Sequence, residues 1–168
     1  VIVQPSVYGK DNRCTLDMTD LAGRDRARAV IVVDNSVSDS QLRDMHDRGA
    51  RAIRINALTP AGVPLDQIQT LARRIAPLGW HLQFWISGPE IVALTDVILA
   101  LPVPVVFDHM GQFAVEEGMN HPELRALLRL LEADHCWVKL CGYRVSKKGP
   151  PYDDVRAPAE AMIAAAPT

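Results

Sequence analysis

Val103-Pro104-Val105-Val106-Phe107-Asp108-His109-Met110-Gly111 is an apolar, β-branched run that ends abruptly in Asp-His and then Gly. A run apolar on both faces reads as a strand buried in a parallel sheet, and the abrupt switch delivers an imidazole to its C-terminal end. In α/β barrels that end carries the chemistry. An isolated Asp-His pair is equally what a hydrogen-bonded core histidine looks like, so the neighbouring stretches have to decide.

Upstream, Trp80 to Ile86 reads as a strand with His81, Gln83 and Trp85 on one parity and Leu82 and Phe84 on the other. Ser87-Gly88-Pro89 leads from it into a helix with Ile91, Leu94, Ile98 and Leu101 inward, closed by Pro102. Before that, Pro64 opens a long helix with Ile68, Leu71, Ala72 and Ile75 inward, Arg73 and Arg74 outward, and Gly79 at its end. Ala52-Ile53-Arg54-Ile55-Asn56 is a further strand whose alternation puts Arg54 and Asn56 on one face. An arginine inside such a strand needs an anionic partner, either a protein carboxylate or that of a ligand.

Earlier still, Ser38 or Asp39 caps a helix through Asp47, Ala29 to Val33 is a continuous buried strand, and Leu16 to Leu21 is a short helix closed by Gly23. Val1 to Tyr8 reads as a strand with Ile2, Gln4, Ser6 and Tyr8 on one side, broken near its end by Pro5. Downstream of Gly111, Gln112 to His121 is long for a βα loop and is a candidate lid or substrate loop. A helix from Pro122 carries a Leu124, Leu127, Leu128, Leu131 stripe; a strand and exit loop run from Trp137 to Arg144, and Pro158 begins the last helix.

Strand and helix alternate six times, at roughly 25 to 30 residues per unit, which is the rhythm of a parallel sheet or an eightfold barrel. No GxGxxG or Walker loop follows any strand, which favours the barrel over a nucleotide fold. The 168 residues are 48% hydrophobic, with 18 basic and 20 acidic residues mixed along the chain for a net charge of -2. That balance argues for one domain and against nucleic-acid binding, and no apolar run approaches the ~20 residues that span a bilayer. Cys14, Cys136 and Cys141 are an odd number with no CxxC pair, so a reducing cytoplasm is expected rather than a disulfide scaffold, with Cys136 and Cys141 as buried free thiols. Cys136 and Cys141 flank a strand beside His135, but at no recognised zinc spacing. Val1-Ile2-Val3-Gln4 starts as though mid-strand and Ala164-Ala165-Ala166-Pro167-Thr168 stops as a helix ends, so a longer chain is expected.

The motifs VQPSVYGKDN (3–12), RAIRIN (51–56), LGWHLQFW (78–85), VPVVFDHMGQF (103–113) and WVKLCGYRVS (137–146), in this order, resemble the metal-dependent hydrolase, or amidohydrolase, superfamily. Within it they look most like the lactonase branch, above all the 2-pyrone-4,6-dicarboxylate hydrolases of aromatic degradation. The resemblance implies a TIM-like (β/α)8 barrel in which these strands are the second to the seventh. The first strand, with an HxH pair, and the eighth, with an aspartate, would lie outside this sequence.

It further implies a hydrolase that opens a lactone by water attack on the ester carbonyl, the eighth-strand aspartate being the general base and imidazoles polarising the oxygen. His109 would be the catalytic residue retained here. Arg54 and Arg144 would pair with substrate carboxylates, and Gln4, Ser6, Tyr8, Gln83, Trp85, Tyr143 and Ser146 would complete the substrate site. From their common position at strand ends, Gln4, Arg54, Gln83, His109 and Arg144 are expected around one cavity. Near Trp85 the dicarboxylate lactonases place a tyrosine that this chain lacks. No cofactor is expected; the alternative is a zinc-dependent hydrolase or decarboxylase in which His81 or His109 supplies the middle ligand. A noncatalytic carboxylate-binding remnant is a third reading. The expected partner is a small carboxylate or lactone, not nucleic acid or membrane; a homo-oligomer is compatible with the sequence. The segment alone is expected to be inactive.

Overall fold

A computed structural model describes residues 1–59 and 62–166. Six strands and six helices alternate as β1 (Ile2–Val3), α1 (Arg13–Ala22), β2 (Ala29–Ile31), α2 (Asp39–Asp47), β3 (Ala50–Asn56), α3 (Ile68–Ile75), β4 (His81–Trp85), α4 (Gly88–Leu99), β5 (Val105–Phe107), α5 (Pro122–Leu131), β6 (Cys136–Val138) and α6 (Arg156–Ala165). The strands form one sheet in sequence order, and the pairs β1–β2, β2–β3 and β5–β6 are parallel. Right-handed βα units stacked in order require this kind of α/β architecture. Among the described residues no helix is long and apolar enough to cross a membrane.

The chain divides into two compact units, Val1–Gln83 with Leu101–Pro104 and Phe84–Ala100 with Val105–Thr168. In the first, Ile31, Ile53, Ile55, Ile68, Leu71, Ile75, Trp80 and Leu82 are buried. β2 is apolar throughout because it is covered on both faces, as a parallel interior strand must be. β3 pairs Ala29 with Ala50 but Val30 with Ala52, so Arg51 is an extra residue at a bulge. Beyond this bulge the alternation read from Ala52 to Asn56 holds. In the second unit, Phe84 and Phe107 stack with ring centroids 5.9 Å apart, and Ile91, Ile98, Leu124, Leu127 and Leu131 fill the space between sheet and helices.

Local chemistry moves several boundaries. Only Ile2–Val3 is strand at the N-terminus; past Pro5 the chain turns into a 3-10 turn over Ser6–Tyr8, so the alternation expected through Tyr8 stops there. α1 starts at Arg13 rather than near Leu16. The helix expected from Pro64 to Gly79 is α-helical over Ile68–Ile75, with 3-10 turns at Leu65–Gln67 and Ala76–Leu78, and Gly79 caps it in the left-handed conformation. Arg74 does not face solvent freely: it pairs with Asp39 at 2.6 Å and donates to Val37 O, tying α3 to the start of α2. α6 begins at Arg156, with Pro158 in its first turn, where a missing N–H costs nothing. Pro167 and Thr168, where the reading ended that helix, lie outside the described residues. The candidate lid, Gln112 to His121, is pinned by buried Phe113 and Val115 and contains a 3-10 turn at Val115–Glu117.

Candidate active site

In the first unit the polar ends of β1 and β3 meet. Gln4 is fully buried; its amide donates to Gly9 O at 3.1 Å and Asp11 O at 2.8 Å and accepts from Thr15 Oγ1 at 2.5 Å. Those bonds occupy the amide, so Gln4 holds the loop between β1 and α1 in place rather than presenting a hydrogen-bonding edge. Arg54, 8% exposed, has Nη1 3.4 Å from Gln4 O and 3.5 Å from Ser6 Oγ. Asn56, also buried, donates to the same Ser6 Oγ at 3.1 Å and to Thr59 Oγ1 at 2.8 Å. Ser6 is therefore the point on which two alternate residues of β3 converge. Asn56 was not among the expected site residues, although its parity with Arg54 was the available signal. Tyr8 lies at the end of the 3-10 turn, 48% exposed, and Gln83 is buried in β4.

Past β2 there is a cavity of about 210 Å³ lined by Lys10, Asp34, Ser36 and Gln41 among others. It is smaller than the ~300 Å³ at which ligand pockets begin. Lys10 Nζ sits 2.5 Å from Asp34 Oδ2, so the charges there already neutralise each other. Lys10 and then Ser36, by donating to it, hold the Asp34 carboxyl down to about 2.

In the second unit, β5 ends at Phe107 and the backbone then turns left-handed for four consecutive residues, His109 (φ 50°), Met110 (55°), Gly111 (72°) and Gln112 (55°). Each non-glycine residue held in this region costs roughly 1–2 kcal/mol, so the three of them store about 3–6 kcal/mol that the surroundings must offset. Asp108 N donates to Phe84 O at 2.8 Å, Gly111 N to Asp108 O at 3.0 Å, and Met110 N to Lys139 O at 3.0 Å. Met110 is buried, and a Cβ on Gly111 would sit 2.8 Å from Leu127 Cδ2. The turn is locked by packing as well as by hydrogen bonds.

This lock presents His109, half-buried, with its ring edge-on to Trp85 at a centroid distance of 6.1 Å and an interplanar angle of 83°. Asp108, 3% exposed, pairs with Lys139 Nζ at 2.9 Å. His109 is thus an imidazole fixed just past a strand's C-terminal end, next in sequence to a residue held in an ion pair.

After β6, Gly142–Arg144 forms a 3-10 turn. Arg144 Nε donates to Tyr143 Oη at 2.9 Å, and its guanidinium carbon lies 5.3 Å from the Tyr143 ring centroid. Both side chains are exposed, and among the described residues Arg144 forms no ion pair. Ser146 Oγ donates to Asp154 Oδ1 at 2.6 Å and accepts from Lys148 N and Gly149 N at 3.2 Å. Like Gln4, Ser146 shapes a loop, and its hydrogen bond is the main cause of the lowered Asp154 pKa. Of the three cysteines, Cys14 is exposed, Cys141 half-buried and Cys136 buried; burial pushes the Cys136 thiol up to about 11. Cys141 is therefore more accessible than a buried thiol.

Among the described residues no three His, Cys, Asp or Glu side chains converge in a way that could hold a metal ion. The donors present among these residues do not make a metal centre by themselves.

The family model described as Amidohydrolase matches residues 1–168. A 2-pyrone-4,6-dicarboxylate hydrolase of Comamonas testosteroni is 36% identical over 154 residues, covering 89% of this chain and 50% of that protein. A 4-sulfomuconolactone hydrolase of Rhizobium radiobacter is 30% identical over 172 residues, covering 99% of this chain and 57% of that protein. The chain spans about half the length of the curated relatives it matches. A crystal structure of an Agrobacterium tumefaciens protein, in its apo form, superposes with a TM-score of 0.88 at 28% identity, over 98% of this chain and 61% of that one.

Proposed function

The chain belongs to the amidohydrolase family, whose barrel architecture its parallel βα units follow, and from that premise we propose that the full-length protein hydrolyses an anionic lactone by water attack on the ester carbonyl. The observation that carries this reading is the exit of β5, where a strained backbone run fixes a half-buried imidazole at a strand's C-terminal end. Conformational cost of this kind persists where the surroundings over-determine it, and it gathers at functional sites.

In the proposed reaction His109 donates a hydrogen bond to the carbonyl oxygen as it becomes an oxyanion. A donor already fixed in place stabilises that charge without reorganising, and removing one such donor typically costs ~10²- to 10³-fold in rate. Arg54 and Arg144 receive the anionic groups of the substrate, since a guanidinium fork matches a carboxylate or sulfonate. The substrates named for the two curated relatives, a pyrone dicarboxylate and a sulfomuconolactone, both carry such groups on a lactone ring. Ser6 and Asn56 set the Arg54 side of this recognition, Gln83, Tyr8 and Tyr143 contribute polar and aromatic surface, and Trp85 seats the imidazole. Gln4 and Ser146 act on loop geometry and not on the ligand. The base that activates water is assigned to no residue of this chain, and the reaction as proposed uses no cofactor. A place in the degradation of aromatic acids follows for a substrate of this class.

Paired kinetics on 2-pyrone-4,6-dicarboxylate and an uncharged lactone, with thermal melts, test the assignment. His109→Asn lowers kcat/KM by ~10²- to 10³-fold on both substrates. Arg54→Met and Arg144→Met lower it by about ten- to a hundredfold more on the charged substrate, the value of a lost charge-assisted pair. Equal losses on both substrates together with a fall in Tm would make the arginines structural. Carboxylate binding without any lactone turnover would leave a binding protein in place of the enzyme.

A further inference from the structure

We propose that Lys139 is a positioning residue for His109, acting through the buried carboxylate of Asp108; this rests on the reading of His109 as the group that polarises the carbonyl. Lys139 follows β6 and grips the exit of β5 at three points. Its N–H donates to Phe107 O at 2.9 Å, its carbonyl accepts from Met110 N at 3.0 Å, and its Nζ lies 2.9 Å from Asp108 Oδ1. These contacts fall on residues 107, 108 and 110, so they bracket position 109 from both sides.

The two backbone contacts could be made by almost any residue. The ion pair could not. Asp108 is 3% exposed, and at a site so buried, removing one partner of an ion pair and leaving the other is costly. The Lys139 side chain, 41% exposed, reaches in from the surface to supply the opposite charge. Fixing Asp108 fixes the peptide that precedes His109, the first of the left-handed residues. Were that peptide to relax toward ordinary right-handed backbone, the imidazole would swing off its edge-on seat against Trp85. A displacement of about 1 Å at a reacting group costs on the order of a hundredfold in rate, which is the scale available to a residue that never touches substrate.

The test uses the full-length protein with isotope-labelled histidine, comparing Lys139→Met, Lys139→Arg and the double variant Asp108→Asn/Lys139→Met, which removes both charges of the pair. The expected result is a shifted or broadened His109 imidazole resonance in Lys139→Met and in the double variant. Their kcat is expected to fall about ten- to a hundredfold with KM nearly unchanged, and Lys139→Arg to recover most of both. A folded double variant with the wild-type His109 resonance overturns the proposal whatever its activity. So does a loss of kcat that follows Tm across all three variants and is not restored by arginine. Failure of the underlying reading looks different: His109→Asn would then keep wild-type kcat, while the resonance in Lys139→Met would still report whether Lys139 holds the ring.

Discussion

Substituting Gly111 by alanine should be among the more damaging single-methyl changes in this chain, and Gly79 supplies its matched control. Both glycines are left-handed, with φ of 72° at Gly111 and 66° at Gly79, so an alanine at either bears a backbone cost of roughly 1–2 kcal/mol. Their surroundings differ. At Gly79 a Cβ meets nothing within 4 Å, whereas at Gly111 it lies 2.8 Å from Leu127 Cδ2 and 3.0 Å from Ile91 Cδ1. Leu127 and Ile91 are 0% and 1% exposed, so neither methyl can retreat into solvent, and overpacking such a core adds about 1–3 kcal/mol. The expected totals are about 1–2 kcal/mol for Gly79→Ala and about 2–5 kcal/mol for Gly111→Ala. Urea unfolding of the full-length protein, monitored by tryptophan fluorescence, measures the difference. Equal midpoints for the two variants would show that the β5 exit is loosely packed around Gly111 and that His109 is not locked.

Asp34 has a folded pKa of about 2, below its ordinary 3.8, because Lys10 and Ser36 donate to it. A depressed carboxylate contributes stability above the unfolded value and loses it as pH falls through the folded one, so Asp34→Asn should be less stable than wild type at neutral pH. The gap should close between about pH 4 and pH 2, and a constant gap in acid-titrated melts would refute the pairing. Cys14 should react with a thiol-specific reagent at pH 8 in the native protein, while Cys136, raised to about 11 and buried, should react only on unfolding; mass spectrometry of the labelled peptides decides it. A chelator should leave lactone turnover unchanged, and a loss restored by added zinc would favour the zinc-dependent alternative.

The strand-helix rhythm was legible because parallel strands covered on both faces are apolar throughout, and β2 and β5 show it most clearly. Arg54 and Asn56 were legible by parity, since the bulge at Arg51 falls before them and leaves their alternation intact. Gln4 and Ser146 were read as facing a ligand, and in the structure the side chain of each also fastens its own loop. A polar residue at a strand end or in an exit loop looks the same in sequence whether it faces a ligand or fastens its own loop, and partners such as Thr15 and Asp154, 11 and 8 residues away, reveal the second. Lys139 carried no signal, because two of its three attachments are backbone contacts, one with the end of β5 and one with the turn that follows it. The left-handed run after Phe107 was equally silent, for three of its four residues are not glycine.

That run also bears on how substrate range could change. Most protein sites diversify one position at a time, but His109, Met110, Gly111 and Gln112 share a single turn whose backbone rejects β-branched side chains, and two of the four are buried. A mutagenesis library spread over these positions would consist mainly of misfolded members. The permissive ground lies at Tyr143 and Arg144, which are exposed and touch chiefly each other, so selection for a lactone of different charge should accumulate its changes after β6 and leave the β5 exit as it stands.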